Sequence, residues 1–171
     1  EQSLALFREL GGKSDISGAL SSLGGDAWRQ GDYGRATTLF EQSLILARET
    51  GNKWDIAARL RVPGNVALEQ LDYERAAALF EESLMLAREL NNREGIAGLL
   101  NSLGEMARLR GDYERAAALY DESLALRRKL GTRVGVAMML HNLGYVALRQ
   151  GDGRQAIMSF EDSLALYREV G

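Results

Sequence analysis

NNREGIAGLLNSLGEMARLRGDYERAAALYDESLALRRKL, residues 91–130, decides the fold. Ile96, Leu100, Leu103 and Ala107 recur at three- and four-residue spacing, which predicts one apolar helical face. Gly111 follows as a left-handed helix stop, and Asp112 as the cap of a second helix. That second helix repeats the pattern with Ala116, Leu119, Tyr120 and Leu124. Gly131 closes it, and Thr132 stands where it can cap a third. Short polar turns between amphipathic helices of this length predict antiparallel helix pairs. No segment alternates with period two and β-branched residues are sparse, so strands are not expected.

The same 40-residue pattern runs through the chain in both directions. Asp32, Asp72, Asp112 and Asp152 lie in one register, as do Gly24, Gly64, Gly104 and Gly144. Ala36, Ala76, Ala116 and Ala156 form a third row, and Phe40, Phe80, Tyr120 and Phe160 a fourth. A fixed period of this size predicts an all-α solenoid, in which each unit buries its apolar face against its neighbours. We divide residues 1–171 as one array of four repeats, 11–50, 51–90, 91–130 and 131–170, each with a first helix A and a second helix B. Residues 1–10, EQSLALFREL, match residues 41–50, EQSLILARET. They read as part of a helix B whose own repeat is missing, so the array is expected to be a fragment of a longer one.

Composition narrows the function. The chain is 46% hydrophobic and 26% charged with a net charge of −3, and no basic excess points to nucleic acid. It has no cysteine, which excludes thiol catalysis and thiolate metal sites. No apolar run approaches a membrane span and no signal peptide is visible, so a cytoplasmic protein without membrane attachment is expected. Gly11-Gly12 and Gly24-Gly25 lack the spacing and lysine of a phosphate loop. Glu81-Glu82 and Asp121-Glu122 fall on helix B near Arg88 and Arg127, where an exposed, ion-paired face is expected. His141 is the single histidine and makes a poor metal site alone. No enzyme activity, cofactor or metal is expected.

The second repeat is irregular. Pro63 replaces the leucine found at 23, 103 and 143, and inside a helix it costs about 3 kcal/mol. A kink or break near residues 59–63 is expected. Leu71 replaces the glycine found at 31, 111 and 151, and a left-handed turn there costs roughly 1 kcal/mol.

These rows resemble the tetratricopeptide repeat, whose signature joins W-x2-L-G-x2-Y to A-x3-F and a proline. The first part reads Leu20, Leu23, Gly24, Ala27 and again Leu140, Leu143, Gly144, Ala147. The second reads Ala36 with Phe40, and Ala156 with Phe160. The unit is longer than the usual repeat of about 34 residues, the Trp is Leu, the Tyr is Ala, and the closing proline is absent. This longer variety is similar to repeats in spindle-orientation adaptors and kinesin light chains. It is also similar to sensor regions of bacterial signalling ATPases and transcriptional regulators. The resemblance implies a right-handed superhelix. In it the glycine lets helices A and B approach, the alanine avoids a clash, and the aromatic fills the gap between repeats.

The resemblance also implies a concave groove lined by helix A. Carried over, it offers Ser21, Gly25, Trp28 and Arg29, then Arg61, Asn65, Leu68 and Glu69. Asn101, Glu105 and Arg108 follow, then Met138, His141, Tyr145, Leu148 and Arg149. Four arginines against Glu69 and Glu105 make this row basic, which favours an acidic peptide or a free C-terminus. Trp28 and Tyr145 can stack on a ligand, or pack between repeats. Asn65, Asn101 and, one position off the row, Asn142 can hydrogen-bond a peptide backbone. The expected function is a scaffold that binds a protein or peptide. Two alternatives stand beside it: a ligand-sensing segment of a larger signalling ATPase or regulator, and end-to-end self-association through apolar ends.

Overall fold

The computed structural model describes residues 12–170; the expected partial helix at residues 1–10 lies outside them. Eight helices and no strand occur among the described residues. They are α1 (Lys13–Arg29), α2 (Tyr33–Thr50), α3 (Lys53–Glu69), α4 (Tyr73–Glu89), α5 (Arg93–Leu109), α6 (Tyr113–Lys129), α7 (Arg133–Arg149) and α8 (Gly153–Val170). Odd-numbered helices are the A helices of the four repeats and even-numbered ones the B helices. The chain forms two compact units, Glu1–Leu90 and Asn91–Gly171, divided where the second repeat meets the third. In the first unit α1 packs on α2, α3 on α4, and α2 on α3. In the second, α5 packs on α6, α7 on α8, and α6 on α7. No helix among the described residues is long and apolar enough to cross a membrane.

The turns follow the sequence closely. Asp32, Asp72, Asp112 and Asp152 each accept a backbone N–H three residues on, at 3.0–3.2 Å. The same four aspartates donate their own N–H to the carbonyls of Ala27, Ala67, Ala107 and Ala147. With a left-handed residue just before each, this is a Schellman turn. Gly31, Gly111 and Gly151 occupy that left-handed position, and Leu71 takes it too, at φ 61°. The expected strain at Leu71 is therefore present. Thr132 differs from expectation: it stands at the start of α7, but its hydroxyl donates back to the Arg127 carbonyl and caps nothing.

Pro63 does not break its helix. Helix α3 runs unbroken from Lys53 to Glu69 with the proline inside it. Asn52 caps its start, and Leu60 and Val66 on either side are 0% and 2% exposed. Burying such a pair contributes about 1.5–3 kcal/mol per side chain, which outweighs one lost hydrogen bond.

Each A–B pair closes on a bare patch of helix. A Cβ placed on Gly24, Gly64, Gly104 or Gly144 would lie 2.5–2.8 Å from the ring of Phe40, Phe80, Tyr120 or Phe160. Ala36, Ala76, Ala116 and Ala156 are at most 2% exposed beside these rings. Phe40 also meets Val66 of the next repeat, and Tyr120 meets Met139 and Val146, so the ring fills the inter-repeat gap as expected. A second tie went unread in the sequence. Buried Ser83, Ser123 and Ser163 on the B helices donate to the carbonyls of Ala57, Ala97 and Ala137, and Ser43 to that of Ser17.

Two stability tests follow. Gly104→Ala is expected to cost about 1–3 kcal/mol in urea denaturation, because the buried Tyr120 ring has nowhere to go. Gly98→Ala, where nothing lies within 4 Å of the added carbon, should instead gain up to about 1 kcal/mol. Equal effects would mean that the close approach at Gly104 does not govern packing. Leu71→Gly should stabilise by about 0.5–1 kcal/mol, the relief of left-handed strain exceeding the entropy cost of glycine. A loss of stability would place Leu71 in an apolar contact that outweighs its strain.

Candidate functional site

The side of helix A turned away from helix B carries the residues that the packing leaves over. Each unit arranges them differently.

In the first unit most of them are engaged with one another. Trp28 packs against Ala27, Ala36, Phe40 and Val66, between the first and second repeats. Its indole N–H donates to Glu69 at 2.7 Å. Of its two possible roles, the structure therefore assigns the packing one. Arg29 is ion-paired with Asp26 three residues earlier on α1. Leu68 is buried, while Ser21, Gly25 and Asn65 are half-buried. Arg61 is exposed and carries no ion pair or hydrogen bond among the described residues. Deeper between α1 and α3, Arg59 pairs with the buried Asp55 at 3.1 Å and donates to Ser17 at 3.2 Å. Ser14 donates to the same aspartate. This cluster was not foreseen, although Asp55 and Arg59 have the i,i+4 spacing that signals such a pair.

The second unit gathers its candidates into one patch. Asn142 donates to the Asn101 side chain at 2.9 Å, so the residue one step off the row is the one that meets it. Arg108 forks onto Glu105, and the Tyr120 hydroxyl donates to the same carboxylate at 3.1 Å. Burial pushes the Glu105 carboxyl up, but the hydrogen bond and charge of Arg108, helped by Tyr120, hold it below its ordinary value. Hydrogen bonding to Glu105 raises Arg108, and burial raises Tyr120. The Arg108 guanidinium also lies 4.7 Å from the centre of the Tyr145 ring, a cation–π distance. Arg149 donates to the Tyr113 hydroxyl at 3.0 Å. His141 sits beside Phe160, with ring centres 5.3 Å apart.

On α7 the residues His141, Tyr145, Leu148 and Arg149 follow the i, i+4, i+7, i+8 spacing of one face and are all exposed. Tyr145 is 36% exposed and Leu148 55%. Met138 is half-buried against the core and takes no part in this patch. The four arginines are thus unequal. Arg29 and Arg108 are neutralised within their own helices, while Arg61 and Arg149 meet no carboxylate among the described residues. Glu82 binds Arg48 of the preceding repeat, at 2.6 Å, and Arg127 is half-buried and donates to Ser123. No group of three His, Cys, Asp or Glu among the described residues is placed to hold a metal ion.

The family model described as "Tetratricopeptide repeat" matches residues 15–89 and 95–169. Each match spans two of the repeats above. No curated protein matches the sequence. Among solved structures, BtubC (BKLC) from P. vanneervenii superposes with a TM-score of 0.90 at 21% identity, over 99% of this chain and 70% of that one. A putative kinesin light chain of Podospora anserina with nearly identical repeats gives 0.80 at 15%, over 99% and 84%. Aspartyl phosphate phosphatase F of Bacillus subtilis gives 0.90 at 11%, over 98% of this chain and 44% of that one. At these identities the likeness is one of fold.

The Tyr120 hydroxyl is testable because the other three repeats carry Phe at its position. Tyr120→Phe should cost about 0.5–1.5 kcal/mol at neutral pH. Glu105 has a lowered folded pKa, so its contribution is present above the unfolded carboxylate value and is lost as pH falls through the folded one. The deficit of the variant should shrink over that acid range. Urea denaturation at a series of pH values measures it; a deficit independent of pH would detach the hydroxyl from Glu105.

Proposed function

This chain belongs to the tetratricopeptide repeat family, and from that premise we propose that it is a protein-binding scaffold that takes an extended peptide along the exposed face of α7. One observation carries the reading. Tyr145 and Leu148 are exposed on this helix beside Arg149, while its other apolar residues, apart from Val134 near its start, are buried or half-buried. An aromatic ring and, one turn further on, an aliphatic side chain and a guanidinium offer stacking, apolar contact and charge to one extended ligand. Arg108 already lies beside the Tyr145 ring, so the ring is partly ordered before a ligand arrives. The amide pair Asn101–Asn142 adds donors and acceptors suited to a peptide backbone.

The ligand is a peptide with an acidic residue or free C-terminus. Arg149 supplies the fork that a carboxylate fits, since its only described hydrogen bond is to a neutral phenol. The charge is more local than the sequence implied, because Arg29 and Arg108 are already paired.

Calorimetry with an acidic peptide and its amide-capped, neutral counterpart tests the reading. The acidic form should bind about tenfold more tightly, equivalent to about 1.4 kcal/mol, and Arg149→Glu should remove that preference. Tyr145→Ala should weaken both forms. Equal binding of the two peptides would refute the carboxylate reading, and binding untouched by Tyr145→Ala would move the site off α7.

A further inference from the structure

Across the junction of the first two repeats, Arg75 of α4 pairs with Glu41 of α2 at 2.6 Å. Two repeats further on, the corresponding residues are Gln155 of α8 and Asp121 of α6, so the guanidinium has no counterpart at that position. Gln155 donates its amide N–H to the Ser159 hydroxyl at 3.3 Å instead. Ser159 itself stands where the first unit has Leu79. Asp121 has no ion pair or hydrogen bond among the described residues. The residues beneath are unchanged: Val146, Ala147 and Gln150 correspond to Val66, Ala67 and Gln70.

A cavity of about 270 Å³ stands at this place, walled by α6, α7 and α8. Val146, Ala147 and Ser159 line it as buried residues, while Asp121, Gln150 and Gln155 are exposed. Gln150 and Gln155 spend their amide nitrogens on Glu114 and Ser159. Their carbonyl oxygens and the Asp121 carboxylate remain to accept, so the cavity suits a donor that carries positive charge. Its volume falls just under the ~300–1,000 Å³ of pockets that enclose drug-sized ligands, which suits a group the size of one long side chain. All its walls are described helices of the second unit. The corresponding place in the first unit also meets solvent, the side chains of Glu41 and Arg75 being 56% and 37% exposed although the chain continues well beyond them. The opening is therefore a property of the junction itself.

We propose that this cavity binds a guanidinium from outside the chain, seated against Asp121 as Arg75 is seated against Glu41, with its alkyl stem along Leu143 and Val146. The ligand class is an alkylguanidinium, a chemistry shared by an arginine side chain of another protein and a free small cation. Guanidinium is favoured over ammonium because it presents a planar fork to a carboxylate, and because it is the group that pairs with the carboxylate at the corresponding place in the first unit. Leu143, Val146 and Gln150 lie about half a turn round α7 from Tyr145 and Leu148, so this site is separate from the peptide face proposed above.

Amide NMR shifts of the full chain test this, in titrations with propylguanidinium, with N-acetyl-arginine methylamide and with the neutral citrulline counterpart of the latter. The two cations should perturb the amides of residues 117–121 and 155–159 with a weak, roughly millimolar Kd. The citrulline compound, alike in shape but uncharged, should bind about fivefold more weakly. Asp121→Asn, at an exposed position, should weaken both cations by about the same factor. Gln155→Arg, also at an exposed position, restores the arginine of the first unit and should shut out both cations by engaging Asp121 from within the chain. Tighter binding of the arginine compound than of propylguanidinium assigns the site to a protein side chain, and equal binding assigns it to a free small cation. Equal binding of the arginine and citrulline compounds overturns the proposal. So do perturbations that keep their strength in Asp121→Asn, or a titration that leaves α6 and α8 untouched.

Discussion

The contact between a glycine and an aromatic ring sets the geometry on which the rest depends. At Gly24, Gly64, Gly104 and Gly144 the A helix presents bare backbone, and the ring of helix B lies so near that a methyl group would not fit. That approach fixes the distance between the two helices. It also fixes their rotation, because the ring and the buried alanine four residues before it must face the same way. With rotation fixed, the B-helix serine comes within reach of an A-helix carbonyl in every repeat. A buried hydroxyl without a partner is costly, so this bond penalises any slip along the helix axis. The outward face of helix A is then set by subtraction: what does not meet helix B or a neighbouring repeat faces solvent.

Charge on that outward face is handled locally. Asp26 with Arg29 and Glu105 with Arg108 are pairs three residues apart on single helices. Exposed pairs of this kind add little stability, but they decide how much net field a ligand meets. The cluster around Glu105 does more. Its carboxylate takes hydrogen bonds from Arg108 and Tyr120 while Arg108 rests on Tyr145, so a buried ring, an ion pair and a surface ring form one connected set. A ligand that stacks on Tyr145 would meet a side chain whose rotamer is already restricted, which lowers the entropy lost on binding.

The sequence disclosed what local chemistry determines. The four aspartate caps, the glycine turns, the strained Leu71 and the glycine–aromatic rows are each readable from one or two residues and their spacing. The unbroken α3 was not, because the cost of Pro63 is local while the burial that offsets it comes from α2 and α4. Thr132 failed as a cap because its hydroxyl had a nearer acceptor in the turn before it. Trp28 could be assigned to a ligand or to packing only once Phe40 and Val66 were seen beside it. The pairing of Asp26 with Arg29 was legible at i,i+3 spacing, and weighing it would have made the candidate row less basic. The link from Tyr120 to Glu105 spans two helices and had one faint signal, a tyrosine where three repeats have phenylalanine.

Four copies of one unit in a single chain also compare themselves. At 24, 64, 104 and 144 every copy has glycine, and at 36, 76, 116 and 156 every copy has alanine, because the same contact recurs. On the outward face of helix A the copies diverge: Ser21, Arg61, Asn101 and His141 share one position, and Gly25, Asn65, Glu105 and Tyr145 another. These residues differ in size, charge and hydrogen-bonding capacity, yet the backbone beneath them is the same helix. Packing against helix B therefore does not fix one residue type there, although Glu105 is half-buried and bonded to Tyr120. A surface freed from packing in this way can be specialised position by position without disturbing the scaffold. The second unit shows the result, with amides, a guanidinium and a tyrosine brought together on neighbouring helices. The inter-repeat faces obey the opposite rule. Their leucines recur because each must fit the next repeat.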